Sequence, residues 1–180
     1  MRVVAFTGLP GTGKSTLADR LGHTTRTPVF AGDWLLGALA PHGVLTGLAR
    51  ETLTAVHGSL LQSLTTRQFM LNQDAIIDGI LTDSDLATWQ LLADIHGARL
   101  YVIECVCSDP VEHRRRIETR QRKIPGWHEV DWSHVERMRR ETAELTVTRM
   151  TVDAMRPLNE TLQAVHNYLD ASSTTGVHHA

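Results

Sequence analysis

A glycine-rich turn near the start of the chain limits the folds open to it more strongly than any other segment. The turn runs Gly8-Leu9-Pro10-Gly11-Thr12-Gly13-Lys14-Ser15-Thr16 and fits the pattern G-x-x-x-x-G-K-[ST] of a phosphate-binding loop. Residues 3–7 before it are apolar and β-branched, which is typical of a buried strand, and residues 15–21 after it have helical spacing of apolar positions. Strand, glycine loop and helix in this order are the context that the motif requires.

Each residue type in this loop has a chemical reason. Gly8, Gly11 and Gly13 lack a Cβ, so the backbone can curl tightly and point its N–H groups inward at phosphate oxygens. The helix that follows directs the positive end of its dipole at the same place. Lys14 can then reach the β- and γ-phosphates, and the Ser15 hydroxyl can ligate Mg²⁺. We therefore predict that the loop binds the triphosphate of ATP together with Mg²⁺.

The totals bound the remaining possibilities. A length of 180 residues predicts one domain, which we place at residues 1–170, with 171–180 as a small, polar and flexible tail. Acidic residues exceed basic ones by 20 to 18, so nucleic acid is a possible partner but not a favoured one. We find neither a membrane span nor a signal peptide, and Cys105 and Cys107 are typical of reduced core cysteines. These features predict a cytoplasmic protein, and they carry no signal for its oligomeric state.

Short apolar runs alternate with helical patterns along the whole chain. Further strands are predicted at residues 28–32, 75–78, 99–107 and 147–152, and further helices at 34–40, 48–71, 86–95, 109–122, 133–145 and 157–169. Ser133 and Glu136 predict a capping box at the start of the sixth of these seven helices. The alternation predicts an α/β fold of three layers, with a parallel sheet covered by helices on both faces.

Two aspartates follow predicted strands, and ligands of such sheets bind at the carboxyl ends of the strands. Asp33 follows the second strand, where its carboxylate can accept the proton of an attacking hydroxyl and align it; the alternative is an N-cap. Asp78 ends the third strand and can hold Mg²⁺ opposite Ser15; the alternative is a turn residue in Asp-Gly. The residues alone also permit the reverse assignment, in which Asp78 is the base and Asp33 binds substrate.

A basic run precedes a polar loop that contains Pro125-Gly126. It consists of Arg114, Arg115, Arg116, Arg120, Arg122 and Lys123. Arg116 and Arg120 are four residues apart, which predicts that they share a helix face and reach the transferring phosphate. We predict a lid at residues 114–132 that closes over the nucleotide. A solvated face with a Glu112–Arg116 pair is the alternative.

Two side chains are candidates for contacts with rings. Trp34 flanks the predicted cleft, where it can stack on a substrate ring or pack in the core. Arg156 follows the fifth strand, where it can lie against adenine or belong to an ordinary strand–helix connection. Residues 34–72 form the predicted substrate-binding segment, and their apolar character suits an uncharged hydroxyl-bearing molecule.

With these residues placed, the chain resembles the small P-loop kinases: chloramphenicol phosphotransferase, zeta-type toxins, gluconate and shikimate kinases, and the kinase domain of polynucleotide kinase. The loop, Gly32-Asp33, Ile76-Ile77-Asp78 and the arginines from Arg114 to Arg120 carry the resemblance. It implies a P-loop kinase fold whose five parallel strands lie in the order 2-3-1-4-5. Polynucleotide kinases usually have a basic-acidic-acidic run near the base, whereas this chain has Ala31-Gly32-Asp33-Trp34.

The residues and the resemblance together predict a kinase that transfers the γ-phosphoryl group of ATP to a hydroxyl of a small molecule such as a nucleoside, an antibiotic or a sugar. Lys14, Arg116 and Arg120 are predicted to stabilise the transferring group. A 5′-hydroxyl polynucleotide kinase is one alternative. A nucleotide-dependent switch or accessory ATPase without a phosphoryl acceptor is another.

Overall fold

The computed structural model describes residues 1–171, so the tail predicted at 171–180 lies, except for Ala171, outside the described residues. The strands are β1 (Arg2–Thr7), β2 (Val29–Ala31), β3 (Ala75–Asp78), β4 (Arg99–Val106) and β5 (Met150–Asp153). The helices are α1 (Lys14–Thr25), α2 (Gly32–Leu39), α3 (Arg50–Met70), α4 (Asp83–Ile95), α5 (Pro110–Thr119), α6 (Trp132–Glu141) and α7 (Leu158–Ala171), and a 3₁₀ turn spans Ala40–His42.

The five strands form one parallel sheet in the order β2-β3-β1-β4-β5, which confirms the predicted fold class and strand order. Because successive side chains of a strand point to opposite faces, β1 serves both layers. Val4 and Phe6 join the core that α1 and α7 cover, whereas Val3 and Ala5 join the core that α3 and α4 cover. The central strand is therefore apolar at nearly every position, and the loop that follows it is built on a rigid base.

Two helix boundaries at the predicted lid differ from the prediction. Helix α5, capped by Asp109 as predicted, ends at Thr119 instead of residue 122, because Arg120 has an extended backbone with φ −73° and ψ 149°. Arg116 and Arg120 therefore do not share a helix face. Helix α6 is capped by Asp131 and not by Ser133, since the Asp131 carboxylate accepts both the His134 N–H and the Ser133 hydroxyl, each at 2.8 Å.

Other boundaries also differ from the prediction, and three of them have a clear local cause. Helix α4 begins at Asp83 because Thr82 and Asp85 form a capping box that the prediction overlooked. Helix α2 begins at Gly32 with Ala31 as its N-cap, so Asp33 lies in the first turn and is not a cap. Strand β5 begins at Met150, and not at residue 147, because the Arg149 guanidinium holds the preceding turn through the Leu145 carbonyl at 2.7 Å.

Candidate active site

The glycine loop lies between β1 and α1 at the carboxyl end of the sheet. Gly8, Gly11 and Gly13 have φ of 136°, 88° and 82°, in the left-handed region that favours glycine. At Gly8 space is decisive as well, since a Cβ there would lie 2.2 Å from the Cys105 carbonyl oxygen. The Thr12 hydroxyl donates to the Leu9 carbonyl at 2.8 Å and braces the turn. The predicted loop conformation is therefore present.

Lys14, Ser15 and Asp78 converge behind this loop. Lys14 begins α1 and Asp78 ends β3, and both are buried, with 8% and 7% of their surfaces exposed. Burial raises the pKa of Asp78, while the charge of Lys14 and a hydrogen bond from Ser15 lower it. The Oδ1 atom of Asp78 is buried and has no hydrogen-bond partner. An acceptor oxygen left without a partner beside a serine hydroxyl suits a divalent cation that prefers oxygen ligands.

Asp33 lies in the first turn of α2, where β2 has just ended beside β3. Its Oδ2 atom accepts a hydrogen bond from Arg122 Nη1 at 2.5 Å. Ala31, two residues before Asp33, pairs with Asp78 across β2 and β3, and the negative charge of Asp33 raises the pKa of the Asp78 carboxyl group. The structure thus brings together Asp33, Asp78 and Lys14, as the sequence predicted.

Arg120 and Arg122 are the arginines of the basic run that reach this space. Their side chains are 19% and 18% exposed, and both lie within 4 Å of the Glu129 carboxylate. Three guanidinium nitrogens are buried without a hydrogen-bond partner: Nε and Nη2 of Arg120 and Nε of Arg122. Burial, and then the charge of Arg122, lower the pKa of Arg120. Buried donors that lack an acceptor favour the binding of a further anionic group between the two guanidinium groups.

Arg116 and Arg156 contact groups other than the two aspartates. Arg116 pairs with Glu112 at 2.8 Å, as the alternative to the lid prediction proposed, and also donates to the Ala154 carbonyl at 3.1 Å. It therefore joins α5 to the connection between β5 and α7. The side chain of Arg156 is 67% exposed, and its nearest acidic group is Glu160 at 3.9 Å.

Loop 120–131, the part of the predicted lid outside the helices, packs on α2 through two glycines. A Cβ at Gly37 would lie 2.5 Å from the Pro125 carbonyl oxygen, and one at Gly126 would lie 2.2 Å from the Gly37 carbonyl oxygen. Backbone therefore lies against backbone at this point. The loop therefore packs on part of the predicted substrate-binding segment, whereas Trp34 on the same helix is 54% exposed.

His57 of α3 lies beside the start of α2 near Asp33, and sequence reasoning did not identify it. A Cβ at Gly32 would lie 1.5 Å from its Nε2 atom, so the imidazole fills the space beside the start of α2. Burial lowers the pKa of His57, while the charges of Asp33 and Asp85 raise it. No periodicity in α3 marks this residue; the glycine at position 32 is its one sequence signal. Arg122 belongs to the basic run, but the sequence pattern favours Arg116 and Arg120 as the residues that reach the phosphate.

Within residues 1–171, every helix is too short or too polar to span a lipid bilayer. No group of three or more His, Cys, Asp or Glu side chains among those residues is arranged to hold a metal ion by itself.

Comparison with known proteins places the fold. It is similar to a candidate kinase of Chloroflexus aurantiacus J-10-fl, with 22% identity, a TM-score of 0.70 and coverage of 92% of this chain and 97% of that one. It is similar to a gluconokinase of Sinorhizobium meliloti 1021, with 18% identity, a TM-score of 0.67 and 98% coverage of each chain. It is also similar to an APS kinase of Mycobacterium tuberculosis in complex with AMPPNP and APS, with 17% identity, a TM-score of 0.62 and coverage of 94% and 97%.

These likenesses confirm the fold and the predicted resemblance to small P-loop kinases. No curated protein matches the sequence. The sequence profile of the AAA domain family AAA_33 matches residues 3–145, which include the glycine loop, Asp33, Asp78 and loop 120–131. The chain therefore belongs to the AAA domain family AAA_33.

Proposed function

We propose that the protein is a kinase that transfers the γ-phosphoryl group of ATP to a hydroxyl group of a small molecule. The observation that carries this proposal is the convergence of Lys14 and two aspartates at one edge of the sheet. The charges of Lys14 and Asp33 both act on the buried carboxylate of Asp78. A switch protein needs the phosphate loop and a metal ligand, but a second carboxylate aimed at the same space is what proton removal from an acceptor requires.

Each residue then has one task. The glycine loop holds the triphosphate, and Lys14 neutralises charge on its β- and γ-phosphates. Arg120 and Arg122, three of whose guanidinium nitrogens are buried without a hydrogen-bond partner, supply the remaining positive charge around the transferring group. Asp33 orients the acceptor hydroxyl and accepts its proton. We assign the charge around the transferring group to Arg120 and Arg122, and not to Arg116, because Arg116 donates to the Ala154 carbonyl. Arg116 would then lie beside the nucleotide.

Ser15 and Asp78 would hold a Mg²⁺ ion. The orphaned Oδ1 atom of Asp78 and the neighbouring Ser15 hydroxyl suit that ion, which takes its remaining ligands from phosphates and water. The ion would neutralise charge that develops on the phosphate oxygens. This assignment leaves Asp33, rather than Asp78, as the base, because coordination of a divalent cation favours the ionised carboxylate and lowers its affinity for a proton.

The acceptor is expected to be an uncharged molecule with several hydroxyl groups, such as a nucleoside, an antibiotic or a sugar. Helix α3 and loop 120–131 both contact α2 near Asp33, and α2 is apolar at most positions. The lowered pKa of His57 keeps its imidazole neutral at neutral pH, so it can bind a hydroxyl as donor or acceptor.

The test is acceptor-dependent release of ADP from Mg·ATP across a panel of nucleosides, aminoglycosides, phenicols, sugars and 5′-hydroxyl oligonucleotides. Asp33→Asn should lower turnover with the best acceptor by about 10²–10⁴-fold and leave the affinity for ATP near that of the wild type. Glu51→Gln, an exposed carboxylate at the start of α3, is the matched control. Acceptor-independent hydrolysis that Asp33→Asn does not change would support the accessory ATPase instead.

A further inference from the structure

His113 lies against the glycine loop. It belongs to α5, and only 1% of its surface is exposed. Its Nε2 atom is 2.7 Å from the carbonyl oxygen of Pro10, and its Nδ1 atom is 3.1 Å from Nη2 of Arg139 on α6. Both ring nitrogens therefore have partners, and one partner is a backbone atom of the loop itself.

The chemistry of the partners determines the tautomer of this ring. A carbonyl oxygen can only accept a hydrogen bond, so Nε2 carries the proton and donates it to Pro10. A guanidinium can only donate, so Nδ1 is unprotonated and accepts from Arg139. The imidazole is consequently neutral. Burial lowers the pKa of His113, as do the charges of Arg139, Arg116 and Arg120, while the Pro10 carbonyl acts in the opposite direction.

The hydrogen bond to Pro10 sets the orientation of one peptide group in the loop. In a trans peptide the C=O and N–H vectors point in opposite directions within one plane. Because His113 draws the Pro10 carbonyl outward, the N–H of Gly11 must point inward, toward the space that the loop encloses. Gly11 fits closely beside α5, since a Cβ there would lie 2.8 Å from Ile117 Cδ1 and 3.1 Å from His113 Cδ2.

Helix α6 keeps the imidazole in this position. The ring of Trp132 meets the His113 ring edge-on at 5.3 Å between centroids. The guanidinium of Arg139 lies over the same indole, 5.3 Å from its centroid, while it donates to His113. Trp132 and Arg139 lie two turns apart on α6, and both contact the imidazole.

We propose that His113 is a positioning residue that presets the Pro10–Gly11 peptide of the loop to donate to a nucleotide phosphate, with Arg139 fixing its tautomer. The inference rests on the proposed function in one respect only, that the loop binds a nucleotide. A preset amide does not have to rotate when the phosphate arrives, so the benefit is expected in nucleotide affinity rather than in the rate of transfer.

The first experiment compares two substitutions of His113 by calorimetry with Mg·ATP and by steady-state kinetics. Gln can place an amide N–H near the position of Nε2, whereas Met fills similar space without a donor. His113→Met should weaken nucleotide affinity by about 3–10-fold, the range expected for one hydrogen bond, and raise the KM for ATP with kcat nearly unchanged. His113→Gln should stay within about twofold of the wild type.

A second pair of variants uses pH and does not alter the histidine. As pH falls through the lowered pKa of His113, protonation turns Nδ1 into a donor facing the Arg139 guanidinium, so nucleotide affinity should fall. Arg139→Gln removes a positive charge and should move this acid limb to higher pH. Arg140→Gln, the exposed neighbour on α6, should leave the limb where it is.

Equal affinity for the wild type, His113→Met and His113→Gln would overturn this inference alone, as would equal weakening in the two variants or an acid limb that Arg139→Gln does not move. Absence of binding heat from the wild-type protein would overturn the nucleotide-binding part of the proposed function and this inference with it. A protein that binds Mg·ATP but phosphorylates no acceptor would leave the affinity comparison valid.

Discussion

The guanidinium of Arg122 lies on the carboxylate of Asp33, with Nη1 2.5 Å from Oδ2. The contact joins loop 120–131 to the first turn of α2, and the Arg122 backbone N–H is held in turn by Glu129 at 2.6 Å. An acceptor hydroxyl that approaches Asp33 must share or displace this arginine. In the proposed reaction Arg122 would then turn from the carboxylate to the phosphate, where negative charge develops.

Arg122→Gln should therefore impair the chemical step more than nucleotide binding. Removal of one guanidinium from the surroundings of the transferring phosphoryl group should lower kcat by about 10²–10³-fold. The affinity for ATP should change much less. Arg114→Gln is the control, because Arg114 lies in α5, is exposed and pairs with Glu118 along the helix. Steady-state kinetics that show the same kcat for both variants would remove Arg122 from the site.

Asp78→Asn should separate metal binding from folding. The buried carboxylate has a raised pKa, so its charged form is destabilised in the free protein, and an amide in its place should maintain or raise the melting temperature at neutral pH. The additional stabilisation by Mg·ATP should be lost. Thermal denaturation with and without Mg·ATP measures both quantities, and Asp94→Asn, an exposed aspartate of α4, serves as the reference.

The same raised pKa predicts the direction of a pH effect. Mg²⁺ binds the ionised carboxylate, so its binding at Asp78 must release a proton as pH falls toward the raised pKa. The stabilisation by Mg·ATP should consequently weaken with falling pH at a higher pH than an ordinary aspartate would allow. Titration of Mg²⁺ at several pH values with nucleotide held saturating tests this, and a flat response down to the usual range of aspartate would contradict it.

Gly37→Ala should loosen loop 120–131 from α2, since the added methyl group meets the Pro125 carbonyl oxygen at 2.5 Å. We expect a higher KM for the acceptor, faster cleavage of the loop by proteases and a larger share of ATP lost to water, because a displaced lid excludes water less well. Gly58→Ala in α3 meets nothing closer than 3.8 Å and should be neutral or stabilising by up to about 1 kcal/mol. Equal behaviour of the two variants would contradict docking of the loop as a functional contact.

Gly32→Ala should expel His57 from the position beside Asp33, where a Cβ and the imidazole Nε2 would be 1.5 Å apart. His57→Ala should have the same consequence for the acceptor, a KM raised by about tenfold for one lost hydrogen bond, with unchanged affinity for ATP. His23→Ala, on the exposed end of α1, controls for the loss of an imidazole. An acceptor KM that neither variant alters would place His57 outside the acceptor site.

Local sequence patterns were sufficient to predict those parts of this protein that consecutive residues form. The spacing of Gly8 to Ser15 predicted the loop, the alternation of strands and helices predicted the layered parallel sheet, and strand ends predicted Asp33 and Asp78. The fold and the positions of these residues follow from local pattern because a strand–loop–helix unit places its own termini, and parallel strands bring their carboxyl ends to one edge.

Tertiary packing alone decided which side chains from distant parts of the sequence lie beside the glycine loop and Asp33. Arg122 rather than Arg116 reaches Asp33 because α5 ends at Thr119 and the chain turns back onto α2, a contact across 89 residues of sequence. His57 fits over Gly32, and His113 under Pro10, for the same reason. Which helix lies against which loop depends on the shape and volume of the packed core, and no local periodicity records that.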